Sequence, residues 1–181
     1  MGDRLTKIYT RTGDSGSTGT ADGSRIAKDD ILIVAQGDLD ELNSHIGVLA
    51  CKLDGAQREL MLDIQHDLFD IGGEISLAQP LLKAGRVQAL EAAIDEFNTQ
   101  LRPLREFILP GGNECGALCH VARAVSRRAE RAMVSLNRER ELSEDAMAYI
   151  NRLSDFLFVF SRVLNDEEEI YWNSGRMQAK Q

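Results

Sequence analysis

Four arginines and a glutamate crowd a nine-residue stretch of an otherwise acidic chain, namely Arg123, Arg127, Arg128, Glu130 and Arg131. Arg123, Arg127 and Arg131 recur every four residues, so on a helix they would form one slowly turning stripe. Guanidinium groups offer paired N–H donors that match phosphate oxygens, which makes a triphosphate a suitable ligand for this stripe. A solvated, salt-bridged helix face is the alternative interpretation of the same run.

Residues 10–24 form a second unusual segment, dense in glycines and hydroxyl side chains and without any helical period. Its backbone N–H groups and hydroxyls can donate to phosphate oxygens, and Lys28 follows as a counter-charge. The segment is not a Walker A loop, because no Gly-Lys-Ser/Thr follows Gly13 or Gly16 at the required spacing. A flexible tail is the alternative interpretation. If the segment binds phosphates, we expect the ligand rather than packing to order it.

Polar residues also interrupt the apolar final helix, at Asn151, Asp155 and Arg162. A helix that is apolar on most sides is expected to be central, and polar groups placed there need partners. A structural hydrogen-bond network and a bound ligand explain these residues equally well.

The run from Gly37 to Asn43 opens the first predicted helix with three carboxylates. Acidic groups are favourable near a helix start, so we expect Asp38 to act as a cap. Asp40 and Asn43 lie one turn apart, which would let them reach a neighbouring helix.

Two metal-binding interpretations are disfavoured by the residue pattern. Cys115, Cys119 and His120 lie close together but lack the fourth ligand and regular spacing of a structural zinc site. A ferritin-like di-iron bundle would contain Glu-x-x-His pairs, and the sequence has none.

The elements that must position these residues are predicted to be helices. Apolar residues recur in steps of three and four over residues 39–53, 60–75, 87–101, 118–136 and from the N-cap Ser143 to beyond Leu164. Short links between five helices indicate an all-α, antiparallel five-helix bundle. We expect a single domain over residues 1–181, with an irregular phosphate-binding segment at 1–30, the bundle at 31–173 and a tail at 174–181.

Composition narrows the class of protein. The 181 residues are 43% hydrophobic and 28% charged with a net charge of -8, so nucleic acid is an unfavourable partner. No apolar run is long enough to span a bilayer, and residues 1–8 lack the apolar centre of a signal peptide. Three cysteines, an odd number, are best read as reduced thiols, so we expect a cytoplasmic protein without a membrane partner.

Five segments taken in order resemble one family. They are Lys-Ile-Tyr-Thr-Arg-Thr-Gly-Asp-Ser-Gly-Ser-Thr (7–18), Gly-Asp-Leu-Asp-Glu-Leu-Asn-Ser (37–44), Phe-Ile-Leu-Pro-Gly-Gly (107–112), Ser-Arg-Arg-Ala-Glu-Arg (126–131) and Asn-Arg-Leu-Ser-Asp (151–155). Over about residues 5–175 this order and spacing closely resembles the PduO-type ATP:cob(I)alamin adenosyltransferases. The resemblance implies attack of cobalt(I) on the 5′ carbon of ATP, which forms adenosylcobalamin and expels triphosphate.

The resemblance also implies a homotrimer with ATP and cobalamin bound between subunits. Its predicted ATP contacts are Thr10, Arg11, Thr12, Gly13, Thr18, Gly19, Lys28, Arg127, Arg128, Glu130, Arg131 and Asn151. Mg²⁺ would bind through the ATP phosphates with Glu130 as a candidate ligand, and Asp40 would pair with Arg123 of another subunit. Phe107 would abut the lower face of the corrin ring and Asp155 would also contact cobalamin, with Arg127, Lys28 and Phe107 as the catalytic set.

The chain departs from the family pattern at two places. Arg11 stands where lysine is common, and no aromatic residue follows Trp172, whereas some relatives close the corrin site with one. A cobalamin reductase and a B12-dependent client enzyme are the implied protein partners. An ATP-binding corrinoid chaperone and a structural trimeric adaptor are the alternative functions.

Overall fold

Five helices dominate the computed structural model, which describes residues 9–173. They are α1 (Ile31–Ala50), α2 (Gly55–Leu77), α3 (Arg86–Asn98), α4 (Glu114–Asn137) and α5 (Glu144–Asn165). A small antiparallel hairpin of β1 (Ser17–Gly19) and β2 (Arg25–Ala27) precedes them. The predicted all-α, five-helix fold is confirmed. The predicted tail at 174–181 and the first eight residues lie outside the described part.

The core follows the predicted apolar stripes. Helix α1 packs between α2 and α4, and α5 packs against both α4 and α3. Helix α5 is the most enclosed, with Phe156 and Phe160 fully buried and their ring centroids 5.4 Å apart. Helix α3 is peripheral, because only Val87 and Leu90 of its stripe are fully buried. Within residues 9–173, every helix is too short or too polar to cross a membrane.

The start of α1 corrects one prediction. The helix begins six residues before Gly37, and Asp30 is its N-cap, with Oδ1 accepting a hydrogen bond from the Leu32 N–H at 2.9 Å. The helical spacing of buried apolar residues already starts at Leu32 and Ala35. Their burial stabilises the helix by more than Gly37 in its interior destabilises it. Asp38 lies in mid-helix, and its predicted capping role is wrong.

The start of α5 agrees with prediction. Ser143 is its N-cap, and the Ser143 hydroxyl accepts from the Ala146 N–H at 3.1 Å.

A buried carboxylate joins three helices. Asp67 on α2 is only 4% exposed, and it accepts from Arg86 Nε at 2.8 Å and from the Tyr149 hydroxyl at 2.7 Å. The Arg86 Nη2 atom lies 2.7 Å from the same carboxylate, so the charge is paired as well as hydrogen-bonded. Burial, and then the Asp67 charge, raises the pKa of Tyr149, so its hydroxyl stays a neutral donor.

We expect Asp67→Ala to lower the free energy of unfolding by about 3–5 kcal/mol, because it leaves a partly buried guanidinium and a buried hydroxyl without their acceptor. Asp63→Ala is the matched control. Its carboxylate is 64% exposed and 3.9 Å from Arg86, so the change should be within about 0.5 kcal/mol. Urea denaturation measures both, and similar values for the two variants would contradict the structural role of Asp67.

Candidate active site

Within residues 9–173, carboxylates do not neutralise the arginine stripe on α4, which consists of Arg123, Arg127 and Arg131. Arg127 and Arg131 are exposed, and besides the helical backbone the one side-chain hydrogen bond between them runs from Arg131 Nη1 to the Arg127 carbonyl at 2.9 Å. Within residues 9–173, no carboxylate forms an ion pair with Arg123, Arg127 or Arg131. Burial, and then the Arg127 charge, lowers the pKa of Arg123, whose Nε is buried without a hydrogen-bond partner in the described chain. The salt-bridged-face interpretation therefore does not describe these three residues.

Arg128 points away from this stripe and joins α4 to α1. Its Nε donates to Asp38 Oδ1 at 3.0 Å, and its Nη2 pairs with Glu41. The hydrogen bond that Arg128 donates to Asp38 is the main reason that the pKa of Arg128 is raised. In one chain, the Arg128 guanidinium is therefore already paired with two carboxylates. The predicted contact of Arg128 with ATP stays a prediction.

Glu130 and Asn151 meet between α4 and α5. The Asn151 side-chain amide donates to Glu130 Oε1 at 2.8 Å, and Glu130 Oε2 has no hydrogen-bond partner among residues 9–173. Asp155 lies one turn further along α5, where it is exposed and accepts from Arg152 Nη1 at 3.2 Å. Two of the three predicted α5 residues thus lie on its outer surface, and only Arg162 is buried.

The N-terminal segment forms a hydrogen-bonded hairpin. Arg25 Nη2 donates to the Thr12 carbonyl at 2.6 Å and to the Ser17 hydroxyl at 2.8 Å, which closes the loop that contains Gly13. A Cβ atom on Gly13 would lie 3.1 Å from Lys28 Nζ, so the ammonium sits directly over a glycine backbone. The tail interpretation does not describe this hairpin, and its ordering by ATP stays a prediction.

Several predicted ATP contacts lie together on this hairpin. Thr18 and Gly19 belong to β1, and the Thr10 and Thr12 hydroxyl oxygens are 2.8 Å apart. Arg11 has a left-handed backbone with φ of 62°, and its guanidinium lies 5.7 Å from the centre of the Tyr9 ring. Among the described residues, no hydrogen bond or ion pair joins this hairpin to the stripe on α4. Within one chain, the two predicted phosphate-binding parts, the hairpin and the arginine stripe on α4, are therefore not bonded to each other.

Asp40 and Asn43 occupy different environments on α1. Asp40 is exposed and forms no ion pair with Arg123 in the described chain. Asn43 is buried and donates to the Gln65 carbonyl on α2 at 3.2 Å, as its predicted reach to a neighbouring helix requires. Beside them, a groove of about 370 Å³ between α1 and α2 is flanked by Phe69, which is 72% exposed.

Phe107 lies on an exposed two-stranded ribbon. Its carbonyl accepts from the Trp172 N–H at 2.7 Å, and the Leu109 N–H donates to the Ile170 carbonyl at 2.8 Å. The Phe107 ring is 77% exposed and meets the Trp172 ring edge-on, with centroids 6.3 Å apart. Phe107 is therefore not a core residue, and the ribbon leaves the Phe107 and Trp172 rings exposed side by side.

A buried ion pair at the end of α5 holds this ribbon in place. Arg162 Nε donates to Glu169 Oε1 at 2.7 Å, and both side chains are less than a tenth exposed. Arg162 Nη2 also donates to the Arg102 carbonyl at 2.8 Å, and the Tyr171 hydroxyl donates to Glu169 Oε2 at 3.0 Å. Arg162 is a charged residue in an apolar helix, and this was the sequence signal that it has a partner. The sequence analysis did not identify Glu169 as that partner.

Asn165 fixes the loop that enters α4. Its Oδ1 accepts from the Asn113 N–H at 3.0 Å, and its Nδ2 donates to the Gly111 carbonyl at 2.8 Å. A Cβ atom on Gly112 or Gly116 would lie within about 2.2 Å of the Asn165 amide oxygen, so only glycine fits at either position. Sequence reasoning missed Asn165, and the Gly-Gly pair before a helix was its one signal.

No group of three or more histidine, cysteine, aspartate or glutamate side chains within residues 9–173 is placed to hold a metal ion. His120 is buried on α4, and both of its ring nitrogens lack a hydrogen-bond partner within that range. Burial is the first cause that lowers its pKa, so the imidazole is neutral near pH 7.

Comparison with known proteins gives consistent matches over nearly the whole chain. A family model described as "Cobalamin adenosyltransferase" matches residues 8–164. A cobalamin adenosyltransferase of Cupriavidus metallidurans is 54% identical over 182 residues, covering 97% of this chain and 99% of the relative. A corrinoid adenosyltransferase of Bacillus subtilis is 42% identical over 168 residues, covering 88% of this chain and 86% of the relative.

A solved structure shares the same fold. It is a phenylalanine-to-alanine variant of a PduO-type ATP:corrinoid adenosyltransferase from Lactobacillus reuteri complexed with cobalamin and ATP. Its TM-score is 0.86 at 31% identity, covering 93% of this chain and 100% of that chain. These matches define the class, a corrinoid adenosyltransferase, so the predicted enzyme class is confirmed. The chain belongs to the cobalamin adenosyltransferase family, and the predicted resemblance to its PduO type is confirmed.

We expect Phe107→Ala to change the free energy of unfolding by at most about 1 kcal/mol, because the exposed ring loses little beyond its edge contact with Trp172. Phe156→Ala is the matched control, since that ring is fully buried and its removal should cost about 3–5 kcal/mol. Chemical denaturation of both variants is the measurement. If Phe107→Ala lowered the free energy of unfolding as much as Phe156→Ala does, Phe107 would have to be a core residue.

Proposed function

We propose that this chain transfers the 5′-deoxyadenosyl group of ATP to the cobalt of cob(I)alamin and releases triphosphate, at sites completed by a second subunit of a homotrimer. The observation that carries the proposal is the arginine stripe on α4, which has no carboxylate partner within residues 9–173. Uncompensated guanidinium groups on a rigid helix are suited to a polyanion such as triphosphate.

The work of the protein is to orient the substrates and stabilise the leaving group. The corrinoid substrate supplies the nucleophilic cobalt, so no protein nucleophile is required. Negative charge grows on the triphosphate as the carbon–oxygen bond breaks. Arg127, Arg131 and Lys28 are the cations that would stabilise this charge in place. Thr10, Arg11, Thr12, Gly13, Thr18, Gly19, Arg128 and Asn151 are proposed to position the rest of ATP.

Mg²⁺ fits the same region. Glu130 Oε2 has no hydrogen-bond partner among the described residues, and carboxylate oxygen is the ligand that Mg²⁺ prefers. When bound to the phosphates, Mg²⁺ would add positive charge that stabilises the leaving group. The Asn151 amide would keep the Glu130 carboxylate oriented by its bond to the other oxygen.

Phe107 is proposed to contact the lower face of the corrin. An exposed apolar ring there would exclude water and the lower axial base, leaving cobalt four-coordinate and easier to reduce. Trp172 would support the ring by its edge contact. Asp155 is proposed as a further cobalamin contact from the outer surface of α5.

Three features of the described chain support a trimer with sites at its interfaces. The hairpin and the stripe, which are the two proposed parts of the phosphate site, share no hydrogen bond or ion pair within residues 9–173. Arg123 Nε is buried without an acceptor, while Asp40 is exposed without an ion-pair partner. The apolar groove beside Phe69 adds surface that another subunit could cover. We place the enzyme in the cytoplasm, with a cobalamin reductase and a B12-dependent client as partners.

We expect Arg127→Ala to lower kcat/KM at least about 100-fold without dissociating the trimer, because one guanidinium fork is removed from the leaving group. The assay follows adenosylcobalamin formation spectrophotometrically from reduced cobalamin and MgATP. Arg138→Ala, at the exposed C-cap of α4, is the matched control and should retain activity. If the wild-type protein bound ATP but formed no adenosylcobalamin, the result would instead indicate a corrinoid chaperone.

We expect Asp40→Arg and Arg123→Asp each to shift the protein from trimer to smaller species, since each places like charges opposite one another. The double variant Asp40→Arg/Arg123→Asp should restore the trimer by reversing the pair. Sedimentation velocity measures the distribution. Single variants that remain trimeric would refute this ion pair.

A further inference from the structure

The groove between α1 and α2 that contains Asp40 faces another subunit in the proposed trimer, but the proposed function places no substrate in it. Its volume is about 370 Å³, within the roughly 300–1,000 Å³ of small-molecule sites. Its lining includes Leu39 and Leu68, which are buried, and Phe69, whose side is open to solvent. Apolar surface beside an exposed aromatic ring suits a flat, largely apolar ligand.

Asn43 brings an unpaired acceptor to this groove. It is only 6% exposed, and its amide nitrogen donates to the Gln65 carbonyl at 3.2 Å. Its Oδ1, by contrast, is buried without a hydrogen-bond partner among residues 9–173. Buried acceptors are almost always paired in folded proteins, so we expect a group from outside the chain to donate to Asn43. Since Asn43 lines the groove, such a donor would arrive through it.

Gly72 keeps the groove open. It lies inside α2, where glycine costs about 1 kcal/mol relative to alanine. The neighbouring Gly73 has a packing reason, because a Cβ atom there would lie 2.9 Å from Leu81 Cδ1. A Cβ atom on Gly72 would meet no atom within 4 Å, so packing does not require glycine there. Because Gly72 lines the groove, its missing side chain leaves space for a ligand.

The groove is continuous with the proposed phosphate-binding hairpin of the same chain. Gln36 and Ser76 line the groove and are joined by a hydrogen bond of 2.6 Å. They also line a smaller cavity of about 220 Å³, together with Gly19 of β1. A nucleotide whose phosphates lie on the hairpin can therefore extend its ribose and base along the groove.

The proposed trimer places the same groove beside the reacting atoms. Asp40 lines the groove and is the proposed partner of Arg123 in another subunit. On α4, which begins at Glu114 just after the aromatic ribbon, Arg123 comes before Arg127 by one turn. The groove would thus face α4 between the proposed corrin site and the proposed triphosphate site. The adenosyl group must lie between the cobalt and the triphosphate, and this is the same place.

We infer that the groove binds the adenosine part of ATP, with the adenine ring against Phe69 and the 6-amino group donating to Asn43 Oδ1. The inference rests on the proposed function, because it assumes that ATP lies between the hairpin of one subunit and the arginine stripe of another. An amide oxygen accepts hydrogen bonds and does not donate them. The groove therefore selects ATP over nucleotides that carry an oxygen in place of the 6-amino group.

The first test compares ATP with purine riboside triphosphate, which has the same rings, ribose and phosphates but lacks the 6-amino group. Wild-type enzyme should have the lower KM for ATP. Asn43→Ala should raise the KM for ATP about tenfold, the value of one hydrogen bond, and leave the KM for the purine nucleotide unchanged. A structural role alone would change both KM values equally, and that result would overturn the contact between Asn43 and the amino group.

The groove itself is tested at Gly72 and Phe69. Gly72→Leu fills the open space and Phe69→Ala removes the exposed ring. Each should raise the KM for ATP and for purine riboside triphosphate at least about tenfold, without changing the KM for cob(I)alamin. Ala56→Leu, at the exposed start of α2 and outside the groove, is the control and should change none of these values.

Other occupants of the groove give different results. A corrin in the groove would make Gly72→Leu raise the KM for cob(I)alamin alone. A subunit contact alone would make the same variant dissociate the trimer in sedimentation velocity. Either result would overturn the inference. Calorimetric titration of the corrinoid-free trimer with MgATP separates it from the proposed function: weaker binding by Gly72→Leu supports the groove even without turnover, whereas wild-type enzyme that forms no adenosylcobalamin overturns the proposed function.

Discussion

The buried ion pair between Arg162 and Glu169 sets the position of everything at the ribbon end of the bundle. Removing two charges from water is costly, and two further hydrogen bonds offset part of this cost: Arg162 donates to the Arg102 carbonyl, and Glu169 accepts from the Tyr171 hydroxyl. Asp166, with a left-handed φ of 48°, reverses the chain after α5 so that Glu169 can return. The pair thus anchors the strand that carries Trp172, whose N–H donates to the Phe107 carbonyl.

The same end of α5 also fixes the start of α4. Asn165 bonds the backbone on both sides of Gly112, and the two glycines give it room. The ribbon is anchored to the end of α5, the arginine stripe lies on α4, and Asn165 links the two helices, so their packing sets the distance between the proposed corrin and triphosphate sites within one chain. A reaction that needs cobalt and the 5′ carbon in contact benefits from such a fixed spacing, because orientation is settled before the chemistry.

The sequence predicted helices well and long-range pairing poorly. Three- and four-residue spacing located all five helices, because each buries its own stripe, and Ser143 was recognisable from local chemistry. The ribbon was not predictable, since it joins two short segments some 60 residues apart that have no period of their own. Asp38 was misread because its partner, Arg128, lies 90 positions away. The stripe was visible from its spacing, but its lack of neutralising carboxylates required the structure.

The surface of α4 around Arg123 is physically incomplete in one chain. Arg123 Nε and both ring nitrogens of His120 lie one turn apart on α4 and are buried without hydrogen-bond partners in the part of the chain that the structure describes. Buried polar groups in folded proteins are almost always paired. Leaving these groups desolvated and unpaired would cost more than either exposing or pairing them. In the proposed trimer, a second subunit would bring an acceptor to Arg123, which would remove this cost, and would also place its own hairpin near Arg127. In the proposed trimer, the energy of association and the assembly of the ATP site therefore have a common origin.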